Sequence, residues 1–273
     1  MTTSGLLILD NNCYAALAVP KNLARFRANL RVMDFIAQPS EVNLLESTSA
    51  SPDIIQERLL ATIRDVASGQ PLLEWPFKLL QKIGEAIVDG KTGFRVEPSG
   101  KEWYLDDLNA AREIRAEVLE FNRGIEKTFS AYHESSRKKL KKQFREHRMK
   151  DEFGSAREFL QDYWVGSEMR KIFAEVTWTA LNLPGVAPLE ILEKNEAWRL
   201  LLDAEGVAIY ERAITQNRPK TVHRLDLIQL VYLGASLRRM IVTADGGLLR
   251  AADAILTGRY PNARAVNLSD LIA

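Results

Sequence analysis

Two acidic residues follow short apolar runs near opposite ends of the chain, where they could take part in chemistry. Asp10 comes directly after the run at residues 6–9, and Asp245 closes the stretch 240–245 and precedes two glycines. An apolar run that meets an acid and then passes into a periodic segment predicts a buried strand, a tight turn and a helix start. Because ligands of open α/β sheets bind outside the carboxyl ends of the strands, both carboxylates are candidates for function.

Two further acids, Glu46 and Asp226, lie in segments whose apolar residues have helical spacing. Glu46 follows Leu45 and is expected at the edge of a buried helix face, and Asp226 lies in the first turn of the segment 225–231. Each of the four acids alone has an ordinary explanation as a surface residue, a strand end or a helix cap. Gathered without Lys or Arg, they would repel one another unless a divalent cation neutralised them. Carboxylate oxygens suit Mg²⁺ or Mn²⁺ in that position.

The elements that must position these acids alternate between strand and helix at both ends of the chain. The first part predicts a strand at 6–9, a helix at 14–19, a strand at 35–37 and a helix capped by Ser40. The last part predicts a helix at 225–231, a strand at 241–243, a helix at 247–256 and a strand at 265–268. This alternation indicates an α/β fold with a mostly parallel sheet. We expect the four acids to meet at the carboxyl edge of that sheet.

The middle of the chain predicts helices and one small β-hairpin. Helices are expected at 52–66, 75–88, 106–132, 156–181, 189–202 and 207–214, and the hairpin at 94–105. Apolar residues recur every three or four positions from Ala111 to Tyr132, so this stripe should pack against the helix at 156–181. We therefore divide the chain into an α/β core, residues 1–51 and 218–273, and a helical insertion, residues 52–217.

Composition and charge exclude several classes of protein. With 46% hydrophobic residues, 27% charged residues and a net charge of +1, the 273 residues predict an ordinary globular protein, and overall charge predicts no partner. The single cysteine excludes an internal disulfide framework. No run approaches the ~18 apolar residues of a membrane span, and the start lacks the pattern of a signal peptide. We expect a cytoplasmic protein with no membrane partner.

The remaining residues that could do chemistry have weaker patterns. Cys13 is interpreted as a buried residue of the first helix, and His133, His147 and His223 lack the spacing of metal ligands. These residues are therefore left out of the predicted site.

Four stretches resemble the PIN-domain nuclease superfamily: LLILDNNCYAALA, VNLLEST, RLDLIQLVYLG and MIVTADGGLL. The likeness lies in the order, type and context of the acids, and it covers about residues 4–50 and 220–272. It implies a three-layer α/β/α core with Asp10, Glu46, Asp226 and Asp245 as catalytic and metal-binding residues. Asn12 and Thr243 would support them. In the family the second and third acids are usually much closer, whereas 179 residues lie between them here.

What the resemblance implies is an endoribonuclease that uses Mg²⁺ or Mn²⁺ to hydrolyse phosphodiester bonds. The residues agree with this chemistry, since a carboxylate-held cation can lower the pKa of a bound water and offset charge on the phosphate. Alternatives are a catalytically inactive PIN-like scaffold that binds nucleic acid or protein, and a haloacid-dehalogenase-like phosphatase. The phosphatase class needs a second Asp where this chain has Asn12. DNA as a substrate, a toxin of a toxin–antitoxin pair, a homo-oligomer and a protein partner stay open.

One strongly basic run, residues 137–150, contains eight Lys or Arg and a single acid. By itself the run is more often a solvated helix end. In a nuclease, a basic tip between two long helices could contact RNA phosphates, and Phe144 could stack on a base. The candidate phosphate-binding residues are Lys138, Lys139, Lys141, Lys142 and Arg145.

Replacing Lys138, Lys139, Lys141 and Lys142 together by Gln tests this run. Each phosphate contact that is lost should lower the slope of log affinity against log salt by about 0.7 for single-stranded RNA. Binding to a fluorescent RNA, measured at several salt concentrations, should therefore weaken and become less dependent on salt, while Mn²⁺ binding stays unchanged. An unchanged slope would mean that the run is a solvated surface or serves a protein partner.

Overall fold

Four parallel strands form the sheet at the centre of the fold. The structure is a computed structural model that describes residues 4–50, 52–91, 107–147, 153–214, 224–235 and 238–273. In these ranges the backbone alone is described at 133–147, 212–214, 224–225 and 235. The strands are β1 Gly5–Leu9, β2 Phe35–Ala37, β3 Arg239–Thr243 and β4 Ala263–Asn267, in the spatial order β2-β1-β3-β4. Every pairing is parallel, so the predicted α/β class with a parallel sheet is confirmed.

Helices form most of the rest of the described chain, and we number them in order. They are α1 Asn11–Leu17, α2 Pro20–Met33, α3 Glu41–Ser47, α4 Asp53–Ala67, α5 Pro76–Val88, α6 Leu108–His147, α7 Ala156–Glu158, α8 Glu168–Ala180, α9 Leu189–Leu192, α10 Glu196–Ile214, α11 Arg224–Ile228, α12 Gly246–Leu256 and α13 Ser269–Ile272. A π-helix, Phe159–Trp164, follows α7, and a 3₁₀-helix, Gln229–Ala235, follows α11. No helix among the described residues has the length and apolar character needed to cross a membrane.

Apolar side chains cover both faces of the sheet. On one face, Leu7 and Leu9 of β1 pack in a buried cluster with residues of α1, α2 and α4. On the other face, Leu6 and Ile8 belong to a second cluster with residues of α5, α6, α8, α10 and α12. Successive side chains of a strand point to opposite faces, which explains why neighbours in β1 join different clusters. Helices on both faces are compatible with the predicted three-layer architecture.

Several predicted boundaries were wrong for identifiable reasons. The helix predicted at 14–19 begins three residues earlier, at Asn11, because the carboxylate of Asp10 caps it. The single helix predicted at 156–181 is interrupted after the π-helix, and Ser167 caps a new helix there by accepting a hydrogen bond from the backbone N–H of Arg170. The segment predicted at 225–231 stays α-helical only to Ile228.

The two helices predicted at 189–202 and 207–214 are instead the short α9 and the continuous α10. Gly206 lies inside α10 and does not end it. A Cβ at this position would lie 2.6 Å from Cδ2 of Leu160, so the glycine lets α10 pack closely against the π-helix. Gly234 of the 3₁₀-helix has a similar function, because a Cβ there would lie 2.5 Å from the backbone nitrogen of Ala197 in α10.

The long helix α6 packs against α8 as the apolar stripe predicts. Phe129 and Tyr132 both contact Phe173 of α8, with ring centroids 5.7 and 5.9 Å apart. The α6 backbone continues to His147, so most of the basic run 137–150 lies at the carboxyl end of this helix. The side chains of that run lie outside the described residues, as does the predicted hairpin at 94–105. The division into core and insertion stays a prediction.

A buried ion network joins the helices of the middle segment to the sheet region. Arg170 of α8 and Asp203 of α10 are both fully buried, and Nη1 of the arginine lies 2.7 Å from Oδ1 of the aspartate. The other oxygen, Oδ2, accepts a hydrogen bond from the hydroxyl of Tyr260 and lies 3.0 Å from Nη1 of Arg259. Glu193 pairs with Arg170 through both of its carboxylate oxygens. This network fixes α8 and α10 to the turn after α12.

Asp203→Asn is expected to lower the free energy of unfolding by about 3–5 kcal/mol, because it leaves Arg170 buried with less negative charge to compensate it. The measurement is urea denaturation followed by circular dichroism. The matched control is Glu168→Gln, which removes an exposed pair with Lys171 and should cost less than about 1 kcal/mol. Equal losses in the two variants would contradict a stabilising role for the network.

Candidate active site

The parallel pairing of β1 with β3 places Asp10 beside Thr243. Leu9 lies opposite Val242, so the residues that follow each strand meet at the same edge of the sheet. The Thr243 hydroxyl donates a hydrogen bond of 2.8 Å to Oδ2 of Asp10, and the backbone N–H of Asn11 donates to Oδ1 at 2.8 Å. Asp10 is 4% exposed. Its carboxylate is therefore fixed by two donors and almost entirely buried.

Asp245 lies at the same edge and caps α12. Its Oδ1 accepts hydrogen bonds from the backbone N–H groups of Gly247 and Leu248. Its own backbone N–H donates to Oγ1 of Thr243 at 2.9 Å, so Thr243 contacts both aspartates. The cap explains the presence of an Asp at this position. It also leaves Oδ2 of Asp245 without a hydrogen bond among the described residues.

Asn12 fastens the first turn of α1 to the end of β3. Its Oδ1 accepts a hydrogen bond of 3.0 Å from the backbone N–H of Ala244, between Thr243 and Asp245. This contact joins residues that are more than 230 positions apart in the sequence. Asn12 and Thr243, the two residues predicted to support the site, thus hold its two aspartates in a fixed relation.

The third acid, Glu46, reaches this edge on α3. Ser40 and Asn43 form a capping box at the start of α3, and the Asn43 amide donates to the carbonyl of Leu9 at 2.8 Å. Near the end of the helix, the Ser47 hydroxyl donates to Oδ1 of Asn11. Both ends of α3 are thereby bonded to the residues around Asp10. Glu46 is half-buried, as its position after Leu45 predicted.

Burial, and after it the charges of neighbouring acids, raises the pKa values of two of the four acids. The pKa of Glu46 is raised from 4.5 to about 8, chiefly by burial and further by the charges of Asp226 and Asp10. The pKa of Asp10 is raised by burial and by the charge of Asp245, although hydrogen bonds, the first from Thr243, oppose the increase. Asp226 lies in the first turn of α11 and is half-buried.

The four acids are neighbours without forming a ready coordination shell. Among the described residues, no three side chains of His, Cys, Asp or Glu have the spacing that would hold a metal ion. No ion pair links Asp10, Glu46 or Asp245 to a described Lys or Arg. The predicted roles of the four acids in metal binding and catalysis therefore stay predictions.

Gln229 is a residue of this site that the sequence reasoning missed. It is fully buried at the junction of α11 and the 3₁₀-helix, and the effect of its side chain is to lower the pKa of Asp10. Neither of its amide atoms reaches normal hydrogen-bond geometry with a described atom. The available signal was its spacing, because a residue three positions after Asp226 lies on the same side of a helix.

The other residues that the sequence analysis considered are Cys13, the three histidines and the basic run. Cys13 is fully buried in α1, as predicted, and burial raises the pKa of its thiol far above the ordinary range. His133, His147, His223, Lys138, Lys139, Lys141, Lys142 and Arg145 have side chains outside the part of the chain that the structure describes.

Comparison with known proteins adds no family assignment. The chain matches no protein-family model, no curated protein and no solved structure at a significant level. Functional inference therefore depends on the sequence and on the geometry of the site.

Glu46→Gln should change how stability depends on pH in the absence of divalent cations. Because the pKa of Glu46 is higher in the folded state than 4.5, its contribution to stability is fully present below pH 4.5 and is lost as pH rises through about 8. Between pH 5 and 8 the wild type should lose roughly 1–3 kcal/mol more stability than Glu46→Gln. Denaturation in EDTA at both pH values measures this difference. Glu57→Gln, on the exposed side of α4, is the control and should follow the wild type.

Proposed function

We propose that the protein is a metal-dependent ribonuclease of the PIN-like type, which hydrolyses phosphodiester bonds in RNA. The observation that carries the proposal is that Asp10 and Asp245 lie at the carboxyl edge of the parallel sheet and both contact Thr243, while the charges of Asp226 and Asp10 act on Glu46. The order and context of the acids resemble those of the PIN superfamily.

A divalent cation fits the chemistry of these residues. Burial and the charges of other acids make the ionised forms of Asp10 and Glu46 unfavourable, and a cation beside them would reverse that balance. Gln229 supports the same conclusion, since buried polar atoms without partners often mark a missing water or ion. Oxygen donors of this kind suit Mg²⁺ or Mn²⁺. Asp10, Glu46, Asp226 and Asp245 would hold the cation.

The cation supplies two effects when bound: it acidifies a water molecule and it offsets negative charge on the phosphate. The protein itself holds the carboxylates in fixed positions. Thr243 and the N–H of Asn11 fix the Asp10 carboxylate, so that its remaining lone pairs point in a constant direction. Asn12 and Thr243 fix the start of α12 and hence Asp245. Because the acidified water would be the nucleophile, no side-chain nucleophile is needed.

A second candidate function is a PIN-like scaffold that binds nucleic acid or protein without cleaving it. Two observations favour it: Asp245 already serves as a helix cap, and the described acids do not form a coordination shell. The two candidates differ in metal binding. A scaffold without catalysis has no need of the cation, whereas the ribonuclease requires it.

Asp10→Asn and Asp245→Asn test the ribonuclease directly. Each keeps the shape of the side chain and removes a charge that would hold the cation, so cleavage of single-stranded RNA with Mn²⁺ should fall at least ~100-fold. Cleavage is followed on a labelled RNA by gel electrophoresis, and folding by circular dichroism. The matched control is Asp34→Asn, at the opposite edge of the sheet, which should cleave at the wild-type rate. Wild-type rates in both site variants would assign any activity to another site or to a contaminant.

A further inference from the structure

The outer edge of β2, which ends the described sheet on one side, faces a cavity. The cavity has a volume of about 420 Å³, and all three residues of the strand, Phe35, Ile36 and Ala37, line it. An edge strand presents backbone N–H and C=O groups to whatever lies beside it. The edge of β2 is therefore a place where a further strand could pair.

Alternate residues of β2 direct their backbone groups away from β1. The carbonyl of Asp34 and the N–H of Gln38 both bond to β1, so the even-numbered residues pair inward. The backbone groups of Phe35 and Ala37 then point outward, and they have no partner among the described residues. Three residues of extended chain, about 10 Å long, would cover these groups.

The same edge is covered by the chain itself just after β2. The N–H of Leu73 donates to the carbonyl of Pro39, the next outward-facing residue, at 2.8 Å. The chain before Leu73 does not continue this pairing back along β2. It leaves α4 through Ser68 and Gly69, whose φ angles of 49° and 84° turn it away. The gap beside β2 thus follows from the path of the chain after α4.

Two arginines of α2 make the cavity positively charged. Arg27 and Arg31 lie four positions apart on the same side of the helix and both line the cavity, and no described Asp or Glu lines it. Arg31 is exposed, and no described acid pairs with it. Arg27 donates to the carbonyl of Asp65, and its Nε is buried without an acceptor among the described residues. Both side chains have donors left for an anionic group.

A strand added to β2 would present its side chains to two different surroundings in turn. Phe35 and Ala37 belong to the apolar cluster on the α2 side of the sheet, whereas Ile36 faces the opposite side and is 40% exposed. Side chains of the added strand on the α2 side would meet Arg27 and Arg31, and those on the other side would lie beside Ile36. The complementary sequence therefore alternates acidic and apolar residues.

We propose that the edge of β2 binds an extended peptide in which acidic and apolar residues alternate, its backbone paired with Phe35 and Ala37 and its carboxylates bound by Arg27 and Arg31. A second copy of this chain is a poorer partner, because a two-fold contact through β2 would bring the arginines of both copies together. The inference does not depend on the proposed ribonuclease activity and requires no cation.

The probe is a fluorescein-labelled peptide of seven residues in which glutamate alternates with valine. Its binding to the full chain is measured by fluorescence anisotropy in EDTA. Arg31→Glu should weaken binding about 10-fold or more, because it replaces an attractive charge by a repulsive one. Lys21→Glu is the matched control, since it makes the same change of charge at an exposed residue of α2 outside the cavity. It should bind as tightly as the wild type.

Two further measurements test the backbone pairing. Saturating peptide should slow hydrogen exchange at the amides of Phe35 and Ala37 at least about 10-fold, because their N–H groups become bonded. A peptide with a methyl group on every backbone nitrogen loses all donors of the added strand, so it should bind at least about 10-fold more weakly.

Several outcomes would overturn the proposal. They are the absence of binding, equal affinity in the wild type and Arg31→Glu, unchanged exchange at Phe35 and Ala37, and equal binding of a peptide with lysine in place of glutamate. A chain that sediments as a dimer and protects the same two amides without peptide would assign the edge to a second copy instead.

Discussion

The parallel pairing of β1 with β3 is the constraint on which the site depends. It joins two strands that lie more than 230 residues apart, and closing so long a connection costs conformational entropy that local structure cannot recover. The buried residues Leu7, Leu9, Met240 and Val242 supply the compensation through a shared apolar cluster. Once the strands are in register, Thr243 contacts Asp10 and Asp245 without further adjustment. The geometry at the edge of the sheet is thus a consequence of the hydrophobic packing below it.

Asp203 and Asp10 are both buried aspartates, but the charges near them have opposite signs. Asp203 is surrounded by Arg170, Arg259 and the hydroxyl of Tyr260, so its charge is compensated and the group acts as a structural joint. Around Asp10 and Glu46, burial and then the charges of other acids raise the pKa values of both residues. The cation of the proposed function would offset this second group of charges.

The middle segment contributes to the site although none of the four acids lies in it. Residues of α5, α6, α8 and α10 share one continuous apolar cluster with Ile8 of β1 and Ile241 of β3. The helix α10 packs closely on the 3₁₀-helix through Gly234, and the hydroxyl of Tyr232 donates to the carbonyl of Glu74 before α5. These contacts hold the segment that carries Asp226 and Gln229. The helices of the middle segment are therefore packed against the 3₁₀-helix, which follows directly after the helix that carries Asp226.

The sequence by itself determined the elements that local chemistry specifies. Apolar runs that end in acids predicted β1 and β3, the Ser40 cap predicted α3, and the three- and four-residue spacing from Ala111 to Tyr132 predicted the packing of α6 on α8. These features depend on residues close together in the chain. The hairpin at 94–105 and the side chains of the basic run stay predictions, since they lie outside the described residues.

Tertiary structure alone decided the interruption before α8, the continuity of α10 through Gly206, the compensation of Asp203 and the burial of Gln229. Each of these depends on side chains that approach from distant segments, and the pattern of one segment carries no information about what its neighbours in space will be.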